Sequence, residues 1–464
     1  MGGALVPRPL LSYKQALAWL YGLQRFGIKL GLDNIRRLLD ELSRSGGFQA
    51  AVGDLEIALP WEVIHVAGTN GKGSVCAMID SICRAQGYRT GLFISPHLVT
   101  FRERIRVNGE MISEDAVADG LTMIRDLVAD WDPHPTFFEV TTALALKHFG
   151  DPVEREAKHD SVQLPSPSPL PSSQGERIKV RGFSPDRHQL DVVILETGLG
   201  GRLDATNAVQ SDVSVITPIA LDHEKWLGHT LAEIAGEKAG IIKPRVPVVS
   251  APQQPESEKV IRARAAHCGS PVQFVNETYH GWPVALPGEY QKQNAALAIA
   301  AIHAANIQLG GKAIVRGLAA IEWPARFQKW DERTIIDGAH NPAAARALAE
   351  TWREVFGDQK ATLVLAVLSD KDLRRICEAL APIVDSVILP KIRSERAAAP
   401  AELAKIFSII TPSLPHSISS TIGDALMLAR ATPNPILITG SLHFAGEVLA
   451  HLHGKSAAFE ECAQ

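Results

Sequence analysis

The 464 residues carry 47 Lys and Arg against 51 Asp and Glu, a formal net charge of -4, with 46% hydrophobic and 21% charged residues. That length asks for two or three domains rather than one core, and the charge leaves no overall basic field for nucleic acid. No run approaches the roughly 20 apolar residues that span a bilayer, and the N-terminal residues lack a signal-peptide core; five cysteines without a CxxC pair fit reduced thiols of a cytoplasmic protein rather than disulfides or zinc.

Trp19, Leu23 and Phe26, then Ile35, Leu38, Leu39 and Leu42, recur at helical spacing. They predict helix over residues 12–43 with a break at 27–31. Residues 62–67, Glu-Val-Ile-His-Val-Ala, read as strand, and a glycine-rich turn leads into a predicted helix over 74–86. Strand, glycine loop and helix open an α/β fold. Residues 91–95 predict another strand. Residues 191–196, 213–217 and 246–250 predict further buried parallel strands with helices between them. An alanine-rich helix follows at 289–306. A second α/β unit begins near Arg326, with strands at 334–337, 361–367, 386–389 and 436–439. Pro324, after Trp323, marks the linker and divides the chain into 1–322 and 323–464. Residues 151–189 fit neither unit. They include Leu-Pro-Ser-Pro-Ser-Pro at 164–169, and their proline and serine predict a disordered insert.

Residues 67–74 read Ala-Gly-Thr-Asn-Gly-Lys-Gly-Ser. Glycines let backbone N–H groups turn toward an anion, and the following helix adds its positive end. Lys72 is placed to reach the β- and γ-phosphates of a nucleotide, and Ser74 to approach magnesium. The loop departs from the common GxxxxGK[ST] form: Val66 stands at its first glycine, and Gly73 separates the lysine from the serine. The bland alternative is a glycine turn with a surface lysine, but strand before and helix after favour the phosphate loop. Glu196 ends an apolar strand, a usual place for an α/β ligand. The Gly-Leu-Gly-Gly beside it, residues 198–201, lacks the full dinucleotide fingerprint.

Several further segments occur in a fixed order. They are Ile64 to Ser74; Ser95-Pro-His-Leu98 with Arg102-Glu-Arg-Ile105; and Leu195-Glu-Thr-Gly-Leu-Gly-Gly-Arg-Leu-Asp-Ala-Thr-Asn207. Then come Leu221-Asp-His223, Leu227-Gly228, Ile234 to Lys243, Arg326-Phe-Gln328 and Asp337-Gly-Ala-His-Asn-Pro342. On these the chain resembles the folylpolyglutamate synthase/dihydrofolate synthase family, a branch of the Mur ligase superfamily. The resemblance covers nearly the whole chain outside 151–189. It implies an N-terminal P-loop ATPase domain with a mostly parallel sheet, a smaller C-terminal Rossmann-like α/β domain, and a site in the cleft between them. The implied activity joins L-glutamate to dihydropteroate or to the γ-carboxyl of a folate through an acyl phosphate made with ATP and, by expectation, two magnesium ions. A monomer acting on small molecules, without nucleic acid or membrane, is the implied setting.

Residue roles follow from the same resemblance. Gly68, Thr69, Asn70, Gly71, Lys72, Gly73, Ser74, Asn294, Arg326 and Asp337 match ATP contacts, and His340 is placed to stack on adenine. Ser95, Glu196 and His223, with Ser74, match magnesium ligands. Lys72, His223 and Lys238 carry the chemistry, with Lys238 carbamylated. Ile28, Leu30, Thr136, Phe138, Leu203, Asp204 and Ala205 match pterin contacts. The family pattern at the hinge is Pro-Gly-Arg-Phe-Gln, whereas this chain has Ala325 in place of the glycine. Two other readings stay open here: a cell-wall amino-acid ligase of the same superfamily, and a P-loop switch that hydrolyses nucleotide without ligation.

Overall fold

The computed structural model describes residues 9–27, 31–45, 51–52, 56–151, 189–281, 283–455 and 459–460. The insert expected at 151–189 falls, from 152 to 188, outside the described residues, as do Ile28 and Leu30.

Ser12 caps the helix Tyr13–Gly22 in a reciprocal arrangement with Gln15. A 3-10 turn, Leu23–Phe26, and Gly27 at φ 65 end it before the helix Asp33–Arg44. The apolar stripe of that second helix, Ile35, Leu38, Leu39 and Leu42, is fully buried. Each such side chain contributes about 1.5–3 kcal/mol of burial, which offsets a helix end without a side-chain cap.

Two sheets organise the rest. Across the first, the strands run Val272–Phe274, Val248–Ser250, Val213–Ile216, Glu62–Ala67, Val192–Glu196, Thr90–Phe93, Ile105–Val107 and Glu110–Met111. The first six are parallel; the last two turn back antiparallel as an edge hairpin. The central strands are buried along nearly their whole length, because helices cover both faces of a parallel sheet. The helix Lys72–Gln86 packs against Glu289–Ala304 and Gly311–Ala319 on one face. The second sheet runs Gln328–Lys329, Thr334–Ile336, Ile436–Thr439, Ala361–Leu365, Val384–Pro390 and His416–Ser419. Phe327, Trp352, Leu363 and Phe407 fill one side of it, and Val364, Ile388, Ile438 and Phe444 the other. No helix among the described residues is long and apolar enough to cross a membrane.

The structure corrects the expected helix between residues 196 and 213: that connection holds only the 3-10 turn Ala205–Ala208. Val213–Ile216 pairs with Glu62–Ala67 rather than with its predecessor, so the connection crosses from one side of that central strand to the other. Asp204 organises that loop by accepting from the N–H groups of Gly198, Leu199 and Thr206.

Candidate active site at the strand ends

The carboxyl ends of the central parallel strands bring together the glycine loop, Glu196 and Ser95. Such ends are where open α/β sheets bind ligands. Thr69 and Asn70 donate their N–H groups to Pro218 O at 3.0 and 3.2 Å, and Thr69 Oγ1 donates to Ala220 O at 3.1 Å. The loop is thereby pinned to the neighbouring strand. Gly68 has φ 144, and a Cβ there would collide with Thr217 Oγ1; only glycine fits. The helix then begins at Lys72, where the N–H groups of a first turn have no partner inside the helix and attract an anion. Lys72 Nζ folds back onto Gly68 O at 3.3 Å. Ser74 is buried and its Oγ accepts from Gln291 Nε2 at 3.4 Å, while Gln291 Oε1 accepts from Asn294 Nδ2 at 2.9 Å. The Asn294 side chain packs against Gly71.

Glu196 is 5% exposed, and among the described residues its carboxylate accepts one hydrogen bond, from Ser95 N at 3.2 Å. Burial raises its pKa, while Lys72, the Ser95 N–H, Arg326 and Arg104 pull the other way. It borders a narrow cleft whose walls include Gly73, Ser95, Arg106, Trp323, Arg326 and Leu442. The cleft thus takes its walls from both sheets' units. No cluster of three or more His, Cys, Asp or Glu side chains poised for a metal occurs among the described residues. The hydrogen bonds join Ser95 to Glu196 and leave Ser74 with Gln291.

His223 sits at φ 52 ahead of the short helix Glu224–Leu227, with Nε2 4.0 Å from Asp222 Oδ1. Burial lowers its pKa to about 4, against the pull of Asp222. Asp222 is a hub between the two units. Lys371 Nζ donates to its Oδ1 at 2.6 Å, Asn341 Nδ2 donates to its Oδ2 at 3.1 Å, and His340 Nε2 lies 3.5 Å from Oδ2. Burial opposes its ionisation, but His340, His223 and Lys371 outweigh that and hold the carboxyl well below the usual range. Asn341 Nδ2 also donates to Asn70 Oδ1 at 2.9 Å, tying the glycine loop to the second unit. His340 donates from Nδ1 to Gly338 O at 2.9 Å, so its ring edge is committed and only its faces remain for stacking.

Lys238 is 4% exposed and donates to Gly68 O at 2.8 Å. Burial, reinforced by the charge of Lys72, lowers its pKa to about 7. Asp337 takes both of its oxygens into the turn after the linker, accepting from Phe327 N at 2.7 Å and Ala339 N at 2.8 Å; burial raises its pKa despite Arg326. Arg326 Nη1 donates to Ala325 O. Ala325 adopts φ 55, the left-handed form that the family's glycine takes at less cost.

The expected pterin residues divide by what they already do. Thr136 caps the helix Phe137–Gly150, with its Oγ1 donating to Glu139 Oε2 at 2.8 Å. Phe138 lies against Gly198 and 5.8 Å from the Phe93 ring. Leu203, Asp204 and Ala205 form the loop at the 3-10 turn. Asp204 also accepts from Thr206 Oγ1 at 2.5 Å, which makes it first a loop clasp. Sequence reasoning missed Lys371 and Asn341. Asn341 carried a local signal, since Asn before Pro at a helix start is a cap and its Oδ1 does accept from Ala344 N. Lys371 carried none, because its partner Asp222 lies 149 positions away.

Comparison with known proteins decides the family. The family model described as "Mur ligase, glutamate ligase domain" matches residues 325–442. The dihydrofolate synthase/folylpolyglutamate synthase of Bacillus subtilis is 31% identical over 95% of this chain and 99% of its own length. The chain belongs to the dihydrofolate synthase/folylpolyglutamate synthase family. Its members are ATP-dependent glutamate ligases of the Mur ligase fold. The folylpolyglutamate synthase of Mycobacterium tuberculosis, solved with ADP and AMPPCP, superposes with a TM-score of 0.77 at 31% identity, covering 95% of this chain and 99% of that one. The Yersinia pestis folylpolyglutamate synthase/dihydrofolate synthase, complexed with AMPPNP and Mn ion, gives 0.77 at 30% identity over 97% of this chain and all of that one.

Proposed function

We propose that this ligase uses ATP and magnesium to join L-glutamate to dihydropteroate, or to the γ-carboxyl of a folate, and that Lys238 works as a carbamate. The observation that carries the reading is the buried Lys238 amine, 2.8 Å from the phosphate-loop carbonyl of Gly68 and without a carboxylate hydrogen-bonded to it among the described residues. A pKa of about 7 makes the neutral amine available for attack on CO2: a C–N bond forms as one C=O π pair moves onto oxygen, the nitrogen releases a proton to solvent, and the product is an anion where a neutral amine stood.

The remaining roles follow from position. The N–H groups at the start of Lys72–Gln86, with Lys72, hold phosphate oxygens; Asn294, Arg326, Asp337 and His340 bind the rest of ATP. The domains 1–322 and 323–464 close on it through the Asp222 hub. Glu196 and Ser95, with His223 and Ser74, are the proposed magnesium ligands. The fit is chemical: a buried carboxylate with one hydrogen bond, beside a serine and bordering a cleft, is a hard-oxygen donor set with few protein ligands. Two magnesium ions would neutralise the phosphates and the developing charge on the acyl group. Phe138 offers an apolar ring and Leu203, Asp204 and Ala205 a rigid loop for the pterin. The setting proposed is a cytoplasmic monomer.

The test is coupling. Phosphate release from ATP is expected only when a pteroate or folate acceptor and L-glutamate are both present. Release with ATP alone, or undiminished when glutamate is omitted, would contradict the reading and return the switch alternative.

A further inference from the structure

The loop that carries Ser95 is held from its far side by the end of the chain. The helix Leu442–Leu452 presses so closely that a Cβ on Gly446 would run into Leu98 O. Beyond it, the Phe459 ring meets the His443 ring edge-on at 5.2 Å. Glu460 then fastens to the loop at three levels. Its N–H donates to Val99 O at 2.9 Å. Its carboxylate accepts from Phe101 N at 2.5 Å, Thr100 Oγ1 at 3.2 Å and Tyr13 OH at 3.0 Å. Its carbonyl lies 3.0 Å from His97 Nε2.

That last contact has a chemical consequence. A carbonyl only accepts, so His97 Nε2 carries the proton and Nδ1 is left with a lone pair. Arg104 Nε donates to that Nδ1 at 2.8 Å, and Arg104 Nη1 donates to Ser95 Oγ at 3.3 Å. Arg104 is fully buried and His97 is 1% exposed, so neither has solvent as a substitute partner. One tautomer, set by the tail carbonyl, therefore fixes the guanidinium that fixes the serine oxygen. Groups that orient a metal ligand from behind govern its affinity much as the ligand does.

We propose that Glu460, acting through His97 and Arg104, is a positioning residue for the divalent-metal site, so that the C-terminal segment of the chain sets how tightly that site holds its ion. The inference rests on Ser95 as a metal ligand. It is tested on the full chain by titrating Mn2+ in the presence of ADP, followed by electron paramagnetic resonance, with ADP affinity measured separately without metal. Glu460→Ala, which keeps the backbone carbonyl but removes the carboxylate that seats it against His97, and His97→Ala are expected to weaken Mn2+ binding by about 10-fold or more while metal-free ADP affinity stays at the parent value. His97→Gln, whose carboxamide supplies both a donor and an acceptor, is expected to stay within about threefold of the parent. Ser95→Ala tests the underlying reading: parent-like Mn2+ affinity there would remove the serine as a ligand. A weakened Ser95→Ala beside parent-like Glu460→Ala would overturn the tail's role alone. A loss in His97→Gln equal to that in His97→Ala would assign the effect to packing and overturn it as well. Glu460 is half-buried, so its variant keeps the test open if His97→Ala does not fold.

Discussion

Lys238 and Lys243 stand five positions apart in sequence, and each is 4% exposed, yet their surroundings make different groups of them. Lys243 has a counter-ion: its Nζ lies 2.9 Å from Glu56 Oε1 and donates to Asn207 O at 2.8 Å. Burial lowers its pKa, and Glu56 works against that. Among the described residues Lys238 has only the Gly68 carbonyl as a hydrogen-bond partner; Lys72 adds a like charge, and Asp222 and Asp204 pull the other way without bonding to it. Burial of an ammonium without a carboxylate destabilises the charged form. The same residue type at the same depth is a structural tie in one place and, on the proposed reading, a nucleophilic amine in the other, and the difference lies in the partner rather than in exposure.

The largest expected effect comes from the neighbour that sharpens this contrast. Lys72→Ala should lower ligation by about 1,000-fold at saturating ATP, since on the proposed reading it removes the cation that stabilises the transferred phosphoryl group. It should also let Lys238 keep its proton to higher pH. Near-parent turnover in the folded variant would break the account of the loop.

Next is the pair itself. Lys238→Ala should lose about 100-fold or more in turnover, and added acetate should restore part of it by placing a carboxylate in the vacated space. Lys243→Met should leave turnover alone and cost about 1–3 kcal/mol of stability, because it strands Glu56. Equal kinetic losses at both positions, read by steady-state ligation with thermal unfolding as the control, would erase the distinction.

The last test is in pH. The folded Lys238 has a pKa of about 7 against 10.5 for the free side chain. Between those values the unfolded chain binds the extra proton, so stability rises with pH across that window. In CO2-free buffer the parent should gain stability relative to Lys238→Met as pH rises from 7 toward 10. Turnover should fall below about pH 7, where the ammonium returns, and bicarbonate should offset part of the fall. A flat difference in unfolding free energy from pH 7 to 10 would show that Lys238 is not destabilised as an ammonium.

Much of this was legible in the chain. The strand before the glycine loop and the helix after it were visible in apolar runs and glycines, and so was the strand ending at Glu196. What escaped had no local period to show it. The edge hairpin Ile105–Val107 and Glu110–Met111 is too short for alternation to register. His416–Ser419 is exposed along three of its four residues and has no apolar face to display. Thr136 and Glu139 stand three apart as a capping box, so the cap was readable beside the pterin role. The Asp222 hub and the chain from Glu460 to Ser95 were not, because both join residues more than a hundred positions apart.

The contrast between the two lysines rests finally on one bond. Parent protein equilibrated with 13C-labelled bicarbonate at pH 8 should show a single protein-bound carbamate resonance by 13C NMR. It should persist in Lys243→Met and vanish in Lys238→Ala. A parent spectrum without that resonance, from protein that couples ATP hydrolysis to glutamate ligation, would contradict the assignment of Lys238 as a carbamate and leave it a buried amine beside the phosphate loop.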